Sequence, residues 1–331
     1  GDIYIICVPT PIDFFEGSPQ PNIEMVIDAT SKIFSILKKG DLVILESTCP
    51  VGTTKKISDL AKKSGVNTKE IHFVYCPERV LPGHIFKELV ENDRIVGGLT
   101  KQATKIAAQF YKSFITGSVL ETDAKTAEIS KLAENSFRDV NIAYANELSM
   151  ICDEHEIDVW EVINIANRHP RVNILQPGPG VGGHCIAVDP WFIIHQSKKK
   201  SRLIKTARQV NDSKTHWVFE KVKKAIKQFY IKNHHKPKII CLGLSYKPNT
   251  SDTRESPALK IALELNALYD NVKVIEPNLS FYDELNIQPI DTFISNNDII
   301  ISLVKHNEFM ETGFLEKLKN NILIDACGLL K

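Results

Sequence analysis

The sequence predicts an α/β fold: two Rossmann-like parallel-sheet domains joined by an all-helical central domain with a long connecting helix. Three observations carry that expectation. Short apolar runs of strand length alternate with helical patterns in the first third of the chain and again in the last third. Between them the periodicity is helical and strand signal is sparse. The length, 331 residues, suits about two domains with room for a small third. The expected boundaries are residues 1–120 for the first sheet domain, 121–215 for the helical domain and 216–331 for the second sheet domain, which takes in the end of the connecting helix.

Each element has a local reason. Ile3 to Val8 is a continuous apolar run stopped by Pro9-Thr10-Pro11. A helical pattern follows from Ile23 to Lys39, then a strand at Leu42 to Leu45 ended by Glu46-Ser47-Thr48, a helix from Gly52 to Lys63 and a strand at His72 to Cys76. Uninterrupted apolar strands separated by helices indicate a parallel sheet covered on both faces. Helices are expected at Asp123 to Glu154 and Asp158 to Arg168, then a loop dense in Pro and Gly from His169 to Pro190, then a long helix from Arg202 to about Lys232. Lys238 to Leu242 opens the second sheet, followed by a helix at Pro257 to Leu268 with Ser256 as its N-cap. Val272 to Ile275, Ile299 to Val304 and Ile322 to Ile324 supply three more strands.

Composition narrows the function. Apolar residues make up 43% and charged residues 24%, ordinary globular proportions. Lys plus Arg is 41 and Asp plus Glu 40, so no basic field collects nucleic acid, and an anion must be held by local groups. No apolar run approaches the ~20 residues of a membrane span. Seven scattered cysteines without a C-x-x-C fit a reducing cytoplasm rather than a disulfide framework. There is no H-E-x-x-H, and the one adjacent histidine pair, His234-His235, sits in a Lys-rich loop, so no metal site is expected.

Three constellations are able to carry chemistry. Four of the sixteen glycines fall in the six residues 178–183, immediately before His184, Cys185 and Asp189. Glycine permits positive φ and close approach of backbone N–H groups, which suits either a tight turn or a ligand loop with Cys185 as a nucleophile. Lys131, Asn135 and Arg138 lie at about 0°, 40° and −20° around a helix whose other residues are largely apolar. That stripe reads as one wall of a pocket, with Lys131 acting on an alcohol and Asn135 holding an oxyanion, or else as a solvent edge. Third, residues 242–257 join a strand to a helix, where an open α/β sheet binds ligands; Lys247 and Arg254 there suit phosphate, or a surface salt bridge.

Together, six motifs in order are specific: ICVPTP (6–11), ESTCPVGTT (46–54), PERVLPG (77–83), K-x-x-x-N (131–135), GGHC-x-x-x-D (182–189) and YKPNTSDTRESP (246–257). The chain resembles the NAD-dependent nucleotide-sugar 6-dehydrogenases of the UDP-glucose dehydrogenase superfamily over nearly its whole length. Pro-Glu-Arg-Val and GPGVGGHCIAVDPWF (178–192) look most like the branch that oxidises UDP-N-acetylmannosamine; the UDP-N-acetylglucosamine branch usually has Pro where Ala187 stands. The resemblance implies two oxidations of a sugar C6 alcohol at one site, through a thiohemiacetal and a thioester on Cys185, with NAD as cofactor. By carry-over, Lys131, Asn135, Asp189 and Glu78 join Cys185 as catalytic residues. Thr10, Thr48 and Arg254 contact NAD. Arg79, Val80, Lys131, Asn135, Arg138, His169, Arg171, Gly182, Tyr246 and Lys247 contact the UDP-sugar. A homodimer or homotetramer in the cytoplasm is implied, with no nucleic-acid or membrane partner. UDP-glucose enzymes carry a second glutamate where this chain has Pro82. No G-x-G-x-x-G follows any strand and the numbering opens inside one, so an N-terminal strand–helix segment is expected to be missing and NAD to be held poorly by these residues alone. Three alternatives stay open: a UDP-N-acetylglucosamine or UDP-glucose 6-dehydrogenase, a two-electron nucleotide-sugar or hydroxyacid dehydrogenase with a structural Cys185, and a nucleotide-sugar-binding regulator.

Overall fold

A computed structural model describes residues 1–15, 18–80, 85–296 and 298–331. The strands and helices run β1 (Ile3–Ile6), β2 (Ile12–Phe15), β3 (Ser18–Pro21), α1 (Glu24–Ile33), β4 (Leu42–Leu45), α2 (Thr53–Lys63), β5 (His72–Tyr75), α3 (Ile85–Glu91), β6 (Arg94–Gly98), α4 (Lys101–Lys112), β7 (Val119–Asp123), α5 (Ala124–Glu154), α6 (Val159–Ala166), α7 (Asp189–Gln196), α8 (Arg202–Asn233), β8 (Ile239–Leu242), α9 (Pro257–Leu268), β9 (Val272–Ile275), β10 (Ile287–Gln288), β11 (Ile299–Ser302), α10 (Thr312–Leu318) and β12 (Ile322–Asp325). Two compact units emerge: Gly1–Ser136 with Val188–Ser201, and Phe137–Ala187 with Arg202–Lys331. Helix α5 supplies residues to both.

The first unit is built on a five-stranded sheet of order β1-β4-β5-β6-β7. All four residues of β4 are buried, as expected of a central strand covered on both faces. The pairing of β5 with β6 is antiparallel, Val74 opposite Gly98 and Tyr75 opposite Gly97, so the sheet is mixed rather than wholly parallel. Between Pro9-Thr10-Pro11 and α1 the chain forms an antiparallel hairpin, β2 with β3. Pro19 and Pro21 disguise it in the sequence, because proline removes a ladder donor and is tolerated only in such edge ribbons. The helical pattern expected to reach Lys39 stops as α-helix at Ile33 and tightens to one 3₁₀ turn over Phe34–Ile36.

The second unit holds an all-parallel sheet of order β10-β9-β8-β11-β12. In chain order this runs outward from β8 on one side and from β11 on the other. The strand order therefore reverses between β8 and β11, and the crevice at their carboxyl ends is where a doubly wound sheet takes a ligand. Val218, Val222, Ile226 and Phe229 of α8 pack with Ile261 and Leu265 of α9 over one face of this sheet. Ser256 caps α9, its Oγ accepting from Leu259 N at 3.2 Å. Within the expected Pro/Gly loop, α7 starts at Asp189 with Pro190 in its first turn, a start signal that the density of glycines nearby hides.

Candidate active site

In the first unit, β1 and β4 end side by side. Ser47 joins them, its Oγ accepting from Val8 N at 2.8 Å and donating to Val8 O at 2.7 Å. Thr10 and Thr48, just beyond these strand ends, are half-buried, and neither hydroxyl bonds another described residue. The turn after Thr48 is held from across the unit. Gly52, with φ of 94°, and Thr54 open α2, and their N–H groups donate to the buried Glu128 carboxylate at 2.5 and 2.9 Å. Burial pushes the Glu128 carboxyl up, while these bonds pull it down.

Lys131 and Asn135 lie buried on the same helix. Asn135 Nδ2 donates to Asp189 Oδ2 at 2.5 Å. Burial pushes the Asp189 carboxyl up to about 6, opposed by the Asn135 bond and by the charge of Lys131. Three expected catalytic residues from positions 131, 135 and 189 thus form one cluster, in which the carboxylate sits in the first turn of α7 where the helix dipole favours it. Arg138 does not join them: it is exposed. The buried stripe of α5 is centred about 60° round from Lys131, through Glu128, Asn135, Asp139 and Asn146, which leaves Arg138 roughly 80° away. The apolar residues of this helix are divided: Leu132, Ala143 and Ala145 are buried. Phe137 is 68% exposed, and Ile129 lies outside the core as well.

After β5, Glu78 turns back on its own loop. Its Oε1 accepts from Arg79 N at 2.6 Å and Val80 N at 2.7 Å, and Oε2 faces the buried Arg94 at 3.4 Å. Arg79 is gripped by Glu134, with Nη2 to Oε1 at 2.9 Å, and donates from Nη1 to Asp93 O. Pro82 lies outside the described residues.

The second unit presents a cavity of about 550 Å³ at the β8/β11 crevice. Ser245, Tyr246 and Lys247 line it from the end of β8, Leu303 to Lys305 from the end of β11, and Gly178 to Gly180 from the glycine loop. That loop is pressed against residues 246–257. A Cβ at Gly182 would meet Glu255 O at 2.4 Å, and one at Gly183, whose φ is 82°, would meet the Tyr246 ring at 2.7 Å. Gly183 N donates to Arg254 O at 3.0 Å. The glycines therefore serve close backbone approach to the chain's own substrate-type loop. Cys185, two residues on, is half-buried rather than packed in hydrocarbon, and lies in electrostatic reach of Tyr246 and Arg254. Arg254 is exposed, and Asp252 matches its charge at 2.6 Å. His169 and Arg171 are exposed in the loop after α6, with Arg171 N donating to His169 Nδ1 at 3.3 Å.

Sequence profiles now decide the family. The NAD-binding domain of the UDP-glucose/GDP-mannose dehydrogenase family matches residues 1–115, its central domain 125–213 and its UDP-binding domain 240–331. The chain belongs to the UDP-glucose/GDP-mannose dehydrogenase family. It is an NAD-dependent oxidoreductase of nucleotide sugars, with a UDP-binding domain for the substrate. Among the relatives of this dehydrogenase, the UDP-N-acetyl-D-mannosamine dehydrogenase of Campylobacter jejuni is 49% identical over 94% of this chain and 79% of its own length. The NDP-N-acetyl-D-galactosaminuronic acid dehydrogenase of Ralstonia nicotianae is 46% identical over 99% of this chain and 79% of its own. The solved UDP-D-ManNAc dehydrogenase of Pyrococcus horikoshii superposes with a TM-score of 0.89 at 36% identity, covering 100% of this chain and 78% of that one.

The first unit of the dehydrogenase fits its cofactor in one respect visible here. Two hydroxyls without a partner among the described residues, on Thr10 and Thr48, stand at sheet strand ends, suited to the polar edges of a dinucleotide. Sequence reasoning missed a buried polar ladder in the second unit. Asp139 Oδ1 accepts from Arg208 Nη1 at 2.7 Å and from Asn211 Nδ2 at 2.8 Å. Asn146 Nδ2 donates to Asn211 Oδ1, and Asn146 Oδ1 accepts from Gly178 N at the glycine loop, both at 2.9 Å. The only signal was spacing: Asn135, Asp139 and Asn146 recur at helical intervals on α5, as do Arg208 and Asn211 on α8.

Proposed function

We propose that this dehydrogenase carries out the four-electron oxidation of the C6 alcohol of UDP-N-acetylmannosamine to UDP-N-acetylmannosaminuronate, with Cys185 as covalent nucleophile. The observation that carries the reading is the half-buried Cys185 at the end of a glycine loop pinned to residues 246–257, in electrostatic reach of Tyr246, which lines the cavity at the sheet's switch point. Relatives with 47–49% identity that are named for UDP-N-acetyl-D-mannosamine support the sugar. The three-part division, with NAD-binding residues 1–120, central residues 121–215 and UDP-binding residues 216–331, belongs to the same proposal.

NAD supplies the hydride acceptor for each two-electron oxidation, held by Thr10, Thr48 and Arg254. Lys131 assists removal of the C6 hydroxyl proton. The Cys185 thiolate adds to the resulting aldehyde carbon, because an aldehyde has no second hydride to lose until a nucleophile makes it tetrahedral. Asn135, whose amide has a second N–H beyond the one given to Asp189, steadies the oxyanion together with Lys131. Loss of the second hydride leaves a thioester on Cys185. Water, positioned by Glu78, adds to it and frees the carboxylate and the thiol; Asp189 orients Asn135 throughout. Tyr246, Lys247, Gly182, Arg79, Val80, Arg138, His169 and Arg171 bind the UDP-sugar. No helix among the described residues is long and apolar enough to cross a membrane. A cytoplasmic homodimer or homotetramer, paired through α5, completes the reading.

Cys185→Ser tests it. Acid formation should fall by at least about a thousandfold, the scale of losing a nucleophile. Undiminished acid would refute the covalent route through Cys185, whereas one NADH per substrate with an aldehyde or ketone product in the parent protein would support the two-electron alternative. The substrate is tested by NADH release from UDP-N-acetylmannosamine, UDP-N-acetylglucosamine, UDP-N-acetylgalactosamine and UDP-glucose.

A further inference from the structure

Behind the substrate loop of the second unit lies a fully buried histidine to which no role has been given. His306 follows β11 and has no solvent exposure. Its Nδ1 accepts from Asn249 N at 3.0 Å and lies 3.1 Å from Asn278 Nδ2. A backbone N–H is only a donor, so Nδ1 must carry a lone pair and the ring proton sits on Nε2. Nε2 faces Glu276 Oε2 at 3.2 Å and Ser245 Oγ at 3.3 Å. Glu276 in turn accepts from Leu244 N at 2.6 Å, and Ser245 Oγ donates to Lys247 O at 2.8 Å.

Four of these bonds end on the turn that carries Tyr246 and Lys247, while Glu276 and Asn278 tie the imidazole to the end of β9. Leu244 is held by Glu276, Ser245 and Lys247 by the serine hydroxyl, and Asn249, in the left-handed region at φ 59°, by the imidazole itself. Asn249 Oδ1 closes the ring by accepting from Asn307 N at 3.0 Å. Without the imidazole the Asn249 N–H would lose its acceptor and the buried Glu276 carboxylate a partner, the latter costly because water cannot replace it.

We propose that His306 is a positioning residue for UDP: one neutral imidazole, locked between Glu276 and Asn249, sets the conformation of the 244–249 turn and through it the placement of Tyr246 and Lys247. This rests on the reading of Tyr246 and Lys247 as substrate contacts. Isothermal titration of UDP, with no sugar and no turnover required, separates the two ideas. His306→Phe keeps the ring that packs edge-on against Phe309 but can neither accept nor donate. It should weaken UDP binding about tenfold or more and raise KM for the UDP-sugar, with kcat and KM for NAD nearly unchanged. Lys247→Ala tests the loop itself, and the double variant should bind little worse than Lys247→Ala alone, because His306 acts through the same turn. If Lys247→Ala binds UDP normally, the reading of the loop fails. If Lys247→Ala weakens UDP and a folded His306→Phe does not, the positioning role is overturned. Should His306→Phe not fold, Ser245→Ala, which deletes only the hydroxyl bridge, must show a several-fold loss of the same kind, and normal UDP affinity in it counts equally against the proposal.

Discussion

At Asp189 a carboxyl has been taken out of water and given one amide and one nearby cation in return. The exchange is incomplete, so the group takes up its proton near pH 6 when folded and near 3.8 when unfolded. Between those values the folded chain binds more protons, and stability contributed by this group falls as pH rises from about 4 to about 6 and stays lost above. Asp189→Asn keeps an acceptor for Asn135 without the charge. It is expected to be more stable than the parent by about 3 kcal/mol near neutral pH, to lose that advantage below about pH 4, and to be catalytically impaired. Urea unfolding across that range checks it; a difference in stability that does not change with pH would contradict the sign. Lys131, Asn135 and Asp189, which the fold brings into one cluster, were singled out by residue type and spacing. Asp139, Arg208 and Asn211 were not, because a buried ion pair on two helices far apart in sequence looks, residue by residue, like two solvent-facing charges.

Among the elements, α2 shows how one helix is finished by another. Its N-cap is Gly52, which has no side chain to offer, and the missing acceptor arrives from Glu128 on α5. Glu128→Ala should leave the Gly52 and Thr54 donors unpaired in the interior and cost about 2–3 kcal/mol, read as a lower urea midpoint for the first unit. Glu128→Gln, which retains an acceptor, should cost clearly less. Strands β4, β8, β9 and α9 could be bounded from local pattern to within a residue or two, since long apolar runs and a Ser-Pro start signal are local physics. The hairpin β2–β3 and helix α7 could not, because Pro19, Pro21 and the adjoining glycines speak for loops until their partners are known. Of the α5 stripe, Lys131 and Asn135 are buried and Arg138 is exposed, because helical spacing alone does not say where the buried face ends.

Across the whole molecule, the exposed face of α5 is the feature one chain leaves unexplained by itself. Phe137, Tyr144 and Ile151 recur every seventh residue and are 68%, 56% and 48% exposed. Apolar side chains at heptad spacing form a seam suited to a second helix. Tyr144→Glu would set a charge in that seam, and the expected result is a shift from dimer to monomer in analytical ultracentrifugation with the circular dichroism spectrum retained. A parent protein that sediments as a monomer would remove the pairing from the proposal.

Strand and helix type, the alternation that makes the fold α/β, and the order of the six motifs were determined by the sequence alone. They depend on interactions between near neighbours: apolar period, helix starts and the conformational limits of glycine and proline. Tertiary structure decided which polar residues are buried, that Gly180, Gly182 and Gly183 serve contact with residues 246–257, and that the His306 imidazole bonds the turn bearing Lys247. Those outcomes depend on which distant segment arrives opposite, and burial, hydrogen-bond satisfaction and the proton affinity of a carboxyl are properties of the assembled neighbourhood rather than of any single residue.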